Sequence, residues 1–334
     1  MRNDHLTAID LFSGCGGLSL GLKMAGFKVL AAIEIDRRAS ETYRLNHPDV
    51  RLFSDDIRSV SAADMGESLG LKPGELGLLA GCPPCQGFSR IRTKNGARGN
   101  SDPRNDLALA FLEFAQILRP KNLLLENVPG LRRQSIWVTL KAGLVKVGYR
   151  LVEEVVDASD YGVPQRRKRL ILLGSLDRDP IKPDRCSTRL TVGDALSQVP
   201  MDDDLHLLRV NHSEGAMRII RAVPKNGGSR SDIPDELTLP CHRRINGFGD
   251  VYGRMQWDKP APTITSGCHN PSKGRFVHPF EDRAISLREA AVLQGFPVEY
   301  RFLKSHGKEA IALMIGNALP PPMICAHASA LRSS

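Results

Sequence analysis

Two cysteines three positions apart, Cys82 and Cys85, have the clearest chemical potential in this sequence. They lie in the segment GCPPCQGFS (81–89), which follows an apolar run, LGLLAG (76–81), typical of a buried strand. In open α/β sheets, ligands bind beyond the carboxyl ends of the strands, and the two prolines restrict the backbone just before Cys85. Three interpretations are open: a loop cysteine without a role, a CxxC redox or zinc pair, and a nucleophile.

The surroundings of the CxxC pair bear on this choice. A zinc site needs two further ligands, and no second CxxC or close Cys/His pair supplies them. A redox CxxC is typical of a thioredoxin-like unit, whereas here a basic segment containing glycines follows. Residues 87–105 hold one acid, Asp102, against five basic residues, Arg90, Arg92, Lys94, Arg98 and Arg104. Neighbouring positive charge would favour the thiolate that a nucleophile needs.

A glycine-rich turn near the N-terminus predicts a cofactor site. It lies in DLFSGCGG (10–17), between an apolar run and a helical stretch, where backbone N–H groups can approach a ligand closely. Glu34 ends the next strand, 20 residues after Gly14, and a carboxylate there suits ribose hydroxyls. Asp56 is placed to accept from an adenine amino group. Ser19 replaces the third glycine of a dinucleotide fingerprint, so the pattern indicates an adenosine cofactor without identifying it.

Two further motifs carry charge beside predicted strands. Glu126 ends a run of three leucines, where a buried acid needs a partner or a function. The run QRRKR (165–169) precedes another strand, and is either a solvated basic face or a binding group.

Six motifs together resemble one family. DLFSGCGG, PPCQGFS, ENV, QRRKR, REAAVLQGFP and GNALP occur in the order and spacing of the DNA cytosine-C5 methyltransferases, and they cover almost the whole chain. The resemblance implies a large domain that binds S-adenosylmethionine, a small target-recognition domain and a DNA cleft between them. It also implies that the basic segment after Cys85 is a mobile loop that closes over the DNA.

The resemblance also implies roles for single residues. Cytosine C5 is a poor nucleophile, and the family adds a cysteine to C6, which here is Cys85. Glu126 matches the carboxylate that protonates or binds N3, and Arg167 the arginine that holds the O2 edge. Arg169 is expected to orient active-site groups, and Cys82 becomes a bystander.

The cofactor and DNA contacts are expected as two sets. The S-adenosylmethionine site is predicted to contain Phe12, Gly14, Gly16, Gly17, Glu34, Asp56, Ile57, Pro84, Leu107 and Asn317. The predicted DNA contacts are Gln86, Ser89, Arg90, Arg98, Gln165, Arg243, Arg244, Arg254 and Arg275. No metal is expected.

Hydrophobic patterning indicates the elements that position these groups. Near-continuous apolar runs predict buried parallel strands at 6–13, 29–35, 76–81, 122–128 and 169–175. Helical spacing lies between them, near 17–25, 37–46, 106–118 and 135–147, and returns near 286–295 and 321–331. This alternation predicts a doubly wound, Rossmann-like α/β sheet with a smaller, irregular domain. The predicted boundaries are 1–176 for the catalytic domain, 177–280 for target recognition and 281–334 for a segment returning to the catalytic domain.

Charge and composition narrow the setting. The 334 residues carry a formal net charge of +9, which favours polyanionic partners, nucleic acid above all. Residues 176–282 hold 15 basic and 15 acidic residues, so the excess belongs mainly to the catalytic domain. No apolar run approaches a membrane span, no signal-peptide pattern is seen, and seven scattered cysteines indicate reduced thiols. The expectation is a cytoplasmic monomer that acts on double-stranded DNA. A cognate restriction endonuclease that acts separately is a possible partner.

Three alternatives stay open. One is a tRNA cytosine-C5 methyltransferase with the same architecture, which the roughly 100-residue irregular insertion disfavours. Another is a CxxC thiol oxidoreductase, in which Cys82→Ser would abolish activity. The third is a catalytically inactive relative that only binds DNA. The presence of every residue that the chemistry needs disfavours it.

Overall fold

The computed structural model describes residues 6–84, 107–208, 211–237 and 250–332. Seven of the predicted site residues lie outside this part of the chain: Cys85, Gln86, Ser89, Arg90, Arg98, Arg243 and Arg244.

The chain divides into two units. The first contains Met1–Asp157, Lys168–Arg185 and Leu319–Ser334, and the second contains Ala158–Arg167 and Cys186–Ala318. The chain leaves the first unit after residue 185 and returns to it at 319, whereas the predicted functional boundaries lie at 176 and 280; the functions assigned to these parts stay predictions. Helical periodicity shows that a segment has an apolar face, but it does not show which core that face covers.

A seven-stranded sheet forms the centre of the first unit, in the order β3-β2-β1-β4-β5-β7-β6. Its strands are β1 (Thr7–Leu11), β2 (Lys28–Ile33), β3 (Arg51–Phe53), β4 (Leu78–Gly81), β5 (Asn122–Asn127), β6 (Arg150–Asp157) and β7 (Lys168–Ser175). The five predicted strands are confirmed, and the reversal of order at β1 and β4 is that of a doubly wound sheet.

One strand runs opposite to the prediction. The strands β1 to β5 pair in parallel, but β7 is antiparallel to both β5 and β6. The apolar run at 170–173 is as buried as the parallel strands, so composition could not reveal its direction. The strand β6 was not predicted, since at the edge of the sheet its sequence is interrupted by Glu153 and Glu154.

Helices follow the strands in chain order. They are α1 (Gly17–Met24), α2 (Arg37–Asn46), α3 (Ala62–Ser68), α4 (Leu107–Leu118), α5 (Ser135–Val147), α6 (Val192–Leu196), α7 (Asp204–Leu207), α8 (Glu214–Ala222), α9 (Leu287–Leu293), α10 (Lys308–Asn317) and α11 (Pro321–Leu331). Short 3-10 helices lie at Ile57–Ser59, Pro129–Arg133, Ala158–Tyr161, Arg230–Asp232, Asp235–Leu237, Pro271–Lys273 and Lys304–His306. All six predicted helices are present, within about two residues at each end.

The first unit buries a large apolar core between the sheet and its helices. Trp137, Phe111 and Phe114 are fully buried there, from α5 and α4. On the other side, α11 packs closely on α1, because a Cβ at Gly21 would lie 2.6 Å from Ile324 Cβ and 2.7 Å from the Pro321 carbonyl oxygen. The C-terminal helix is therefore part of the first unit's core.

The second unit has a smaller core, in which Ile220 and Val277 are fully buried. A capping box at Ser286 and Glu289 begins α9. The stretch Lys308–Leu331 is long and apolar enough to cross a membrane by length and composition, but 72% of its most apolar window is buried in the protein. Buried core helices pass the same test, and α10 and α11 belong to different units.

Candidate active site

The turn after β1 has an unusual backbone. Gly14 and Gly16 have φ angles of 56° and 103°, a region that glycine enters without a steric cost. Phe12 has φ of 65°, which is rare for an aromatic residue and stores strain of the kind that functional sites hold. Among the residues that the structure describes, none has an atom within 4 Å of a Cβ built at Gly14.

Glu34 is fixed at the end of β2 by the same turn. Its Oε2 accepts from the Gly14 N–H at 2.7 Å, and its Oε1 accepts from the Asp36 N–H at 2.7 Å. Burial raises the pKa of Glu34, while these backbone N–H groups oppose the shift. Ile35, the next residue in the sequence, is 65% exposed and offers an apolar surface.

A buried network of polar side chains lies next to the turn that follows β1. The Ser19 hydroxyl donates to Asp10 Oδ2 at 2.6 Å and lies 2.6 Å from the Tyr43 hydroxyl. Complete burial raises the pKa of Asp10 to about 8, so this carboxyl holds a proton at neutral pH. Ser19, the residue in place of a third glycine, thus connects β1, α1 and α2.

Asp56 and Ile57 lie after β3. Asp56 is half-buried and caps the short helix Ile57–Ser59, while Ile57 is buried in the core. Hydrogen bonds from Arg58 lower the pKa of Asp56 to about 2, so it stays ionised as an acceptor.

Glu126 lies at the carboxyl end of β5 and is only 2% exposed. Ile171 of β7 is its partner across the sheet, and Arg169 is two residues before Ile171 on the same face. Arg169 Nε lies 2.7 Å from Glu126 Oε1, which gives the buried carboxylate a positive partner. Its other oxygen, Oε2, accepts from the Cys82 thiol, with Sγ 2.9 Å away.

Two backbone hydrogen bonds hold the residues that directly follow β4. The Cys82 N–H donates to the Leu11 carbonyl at 3.3 Å, and the Pro83 carbonyl accepts from Asn127 Nδ2 at 2.9 Å. Pro84 is exposed. These two hydrogen bonds fix the backbone at Cys82 and Pro83, directly after β4 and beside Glu126.

Buried and exposed side chains alternate along the QRRKR segment (165–169). Gln165 and Arg167 are buried in the second unit, and Arg166 and Lys168 are exposed. Arg167 donates from Nη1 to the Ile264 carbonyl at 2.9 Å and from Nη2 to the Gly316 carbonyl at 2.9 Å. The guanidinium that contacts Glu126 is thus that of Arg169.

These features are those of one enzyme family. The sequence model of the family described as C-5 cytosine-specific DNA methylase matches residues 6–333. The chain belongs to this family. By that membership it is a DNA cytosine-5 methyltransferase.

Known relatives agree with this assignment. The chain is 36% identical to the Type II methylase M.HgiDII of Herpetosiphon aurantiacus, covering 93% of the chain and 91% of that protein. It is 35% identical to the Type II methyltransferase M1.HphI of Haemophilus parahaemolyticus, covering 98% and 86%.

Solved structures share the fold. One is described as a candidate DNA modification methyltransferase encoded within an E. coli prophage, with a TM-score of 0.69, 26% identity and 98% of both chains covered. Another is Spodoptera frugiperda DNMT2, with a TM-score of 0.63 and 17% identity over 98% of this chain and 99% of that one. The fold is that of the methyltransferases that use S-adenosylmethionine.

Three predicted DNA contacts of this methyltransferase make hydrogen bonds within the second unit. Arg254 is fully buried and donates to the carbonyls of Ile220, Val223, His278 and Glu281, besides pairing with Asp282. Arg275 donates to three carbonyls and to Asp250. Gln165 is fully buried, with its amide bonded to Leu293, Gln294 and Ile264. Because Arg254 and Gln165 are fully buried and bonded inside the unit, their side chains do not lie where a DNA contact is expected. The Arg275 side chain is 21% exposed, and its contact with DNA stays a prediction.

Two further predicted cofactor residues of this methyltransferase lie at helix ends. Leu107 is the first residue of α4 and is half-buried. Asn317 is the exposed last residue of α10, in the second unit.

Sequence reasoning missed one contact of the site. Cys82 was interpreted as a bystander, whereas its thiol lies against Glu126. The signal was present, because Cys82 directly follows β4 and Glu126 lies at the carboxyl end of the adjacent strand β5, and these two strand ends meet at one edge of the sheet.

Proposed function

We propose that this methyltransferase transfers a methyl group from S-adenosylmethionine to C5 of a cytosine flipped out of a specific double-stranded DNA sequence. The reaction would proceed through a covalent bond between Cys85 and C6 of the base. The observation that carries the proposal is the buried carboxylate of Glu126, paired with Arg169 at the carboxyl end of β5. The neighbouring strand β4 ends beside it and leads in the sequence to Cys85.

The first unit fits the cofactor. A carboxylate held by two backbone N–H groups is an oriented acceptor for both ribose hydroxyls, which Glu34 supplies. Ile35 and Phe12 offer apolar surface for the adenine ring, and Asp56 an ionised acceptor for its amino group. The turn at Gly14, Gly16 and Gly17, with Ile57, Pro84 and Leu107, would complete this side, and Asn317 stays a prediction from the sequence. When bound, S-adenosylmethionine supplies an electrophilic methyl group on a sulfonium.

The protein's part begins with nucleophilic addition. The Cys85 thiolate forms a bond to C6, and the electron pair of the C5–C6 double bond becomes available at C5. Glu126 transfers a proton to N3, so that the ring does not carry the negative charge. After C5 takes the methyl group, a base removes the C5 proton and the Cys85 sulfur leaves C6, which restores the aromatic ring.

Arg169 would stabilise Glu126 once the proton has moved. Loss of that proton leaves a carboxylate that is almost fully buried, and an unpaired charge there is costly. The guanidinium 2.7 Å from Oε1 removes that cost. Arg167, whose Nη atoms are bonded to main-chain carbonyls of the second unit, would orient the segment that leads into β7.

Base flipping follows from the direction of attack. A thiolate must approach C6 from above the ring, and stacked neighbours block that approach in duplex DNA. The basic segment between 87 and 105 would contact the DNA backbone, and the second unit would select the target sequence. We expect the enzyme to act as a cytoplasmic monomer, where its DNA is, with a restriction endonuclease of the same specificity acting separately, as the names of its Type II relatives suggest.

Methyl transfer from tritiated S-adenosylmethionine onto genomic DNA and onto tRNA tests the substrate. We expect label on DNA and none on tRNA, and label on tRNA alone would overturn the proposal. Bisulfite sequencing of DNA from expressing cells then gives the target sequence and the C5 position together.

The covalent step needs its own test. DNA carrying 5-fluorocytosine at the target should form an adduct that resists denaturation with the wild-type protein and not with Cys85→Ser. An adduct that persists in Cys85→Ser would assign the nucleophile elsewhere, and Cys82→Ser should still form it. Loss of all activity in Cys82→Ser would instead favour CxxC thiol chemistry.

A further inference from the structure

Cys82 meets the proposed catalytic carboxylate on the side opposite its arginine. The Cys82 sulfur lies 2.9 Å from Glu126 Oε2, and Arg169 Nε lies 2.7 Å from Oε1. Each oxygen of the carboxyl group therefore has a different partner. Glu126 is almost fully buried, so neither partner is replaced by bulk water.

The position of Cys82 is set by the backbone rather than by its own side chain. Its N–H is bonded to Leu11 at the end of β1, and the next carbonyl, that of Pro83, is bonded to Asn127. Asn127 is the neighbour of Glu126 on β5. These contacts fix the thiol against the carboxylate as soon as β1, β4 and β5 pair.

A thiol has one hydrogen to donate, and an ionised carboxylate only accepts. The contact is therefore strongest when Glu126 is ionised, which is the state left after its proton moves to N3. A donor that strengthens as the charge develops contributes to the rate and not to substrate binding.

We infer that Cys82 is a positioning residue for methyl transfer: its thiol orients the Glu126 carboxyl group and stabilises the carboxylate that forms when N3 is protonated. The inference rests on the proposed function, in which Glu126 acts on N3. It assigns separate roles to the cysteines of the CxxC segment, with Cys85 bonding to the base and Cys82 acting through Glu126.

Substitution of Cys82 separates this role from ordinary packing. In single-turnover assays with tritiated cofactor and target DNA, Cys82→Ala should lower the methyl-transfer rate roughly fivefold to tenfold, because a thiol is a weak donor and its loss costs about as much as one ordinary hydrogen bond. The KM values for DNA and cofactor should stay within about twofold, because the contact is not made to substrate. Cys82→Ser keeps an O–H donor and should recover most of the rate.

The matched control is Cys186→Ala, which removes an exposed thiol in the second unit and should leave both rate and KM unchanged. Melting temperatures of all variants show whether a rate loss reflects unfolding. A serine variant as slow as the alanine variant would overturn the inference, and so would a full wild-type rate in Cys82→Ala.

A double-mutant cycle with Glu126→Gln gives the final test. If Cys82 acts through Glu126, Cys82→Ala should cause no further loss in the Glu126→Gln background. Equal losses in both backgrounds would show an independent role and overturn the inference alone. A wild-type protein that methylates no DNA would overturn the proposed function, and the inference with it.

Discussion

At the scale of single residues, the structure distinguishes side chains that look alike in the sequence. Four basic residues follow Gln165. Arg166 and Arg167 precede β7, and Lys168 and Arg169 are its first two residues, before its buried part begins. Of these arginines, Arg167 is bonded to main-chain carbonyls and Arg169 faces Glu126. The spacing of a basic run cannot separate these roles, because both side chains have the same parity along the strand.

Arg169 is therefore expected to dominate the chemistry of this run. Arg169→Leu should lower kcat about 100-fold or more, since it leaves the Glu126 carboxylate buried without its cation. Lys168→Ala, which removes the exposed neighbouring charge, is the control and should change kcat little. Steady-state methyl transfer measures both, and equal losses would refute the assignment.

Asp10 predicts a pH dependence of stability. Its pKa rises from 3.8 to about 8 on folding, so the native state holds a proton that the unfolded chain loses above pH 4. The stabilisation is complete below the unfolded pKa and is lost as the pH rises toward 8, at up to about 1.4 kcal/mol per pH unit.

Asp10→Asn mimics the protonated carboxyl and should flatten this dependence. Thermal unfolding between pH 5 and pH 8 should show a smaller decline for the variant than for the wild type. Parallel curves would show that Asp10 is ionised in the native protein. Asp64→Asn, at an exposed position in α3, is the control.

At the scale of elements, close helix packing depends on the absence of a side chain. Gly21 allows α1 to approach α11 within contact of Pro321 and Ile324, so the last helix is bound to the first. The sequence predicted both helices, but nothing in their periodicity showed that they meet.

Gly21→Ala should therefore destabilise the protein by about 2–4 kcal/mol through overpacking against backbone. Gly215→Ala in α8 is the matched control, since a Cβ there meets no atom within 4 Å, and it should be neutral or stabilise by about 0.5 kcal/mol. Chemical denaturation measures both, and an unchanged midpoint for Gly21→Ala would contradict the packing.

The second unit depends in the same way on Arg254. Arg254→Gln should destabilise it by about 3 kcal/mol or more, because four carbonyls and Asp282 lose a buried cation. The salt dependence of DNA affinity should keep its slope, which a phosphate contact would reduce by about one. Arg221→Ala removes an exposed ion pair and is the stability control.

At the scale of the whole molecule, cofactor binding should be visible as added stability. A ligand at 100 times its dissociation constant stabilises the native state by about 2.7 kcal/mol, so S-adenosylmethionine should raise the melting temperature. Glu34→Ala should abolish most of that increase, since the acceptor for the ribose is lost. Glu67→Gln, an exposed acid in α3, should retain it, and an equal shift in all three proteins would place the cofactor elsewhere.

The sequence by itself determined the strand and helix alternation, the glycine turn with Glu34, and the family. These are local or short-range patterns, in which period, turn chemistry and motif order are written directly in the chain. The elements that the sequence analysis did not predict are the strands β3 and β6 and the helices α3, α6, α7, α8 and α10, and most of them are short or lack a continuous apolar run.

Only the tertiary structure decided the direction of β7, the unit to which residues 281–318 belong, and the partners of the arginines. Each of these depends on which distant carbonyls and faces come together. The residue type alone does not distinguish a buried arginine that binds carbonyls from an exposed one that binds phosphate. Cys82 is the clearest case: a residue 44 positions from Glu126 became its neighbour because β4 and β5 pair in parallel and end at the same edge.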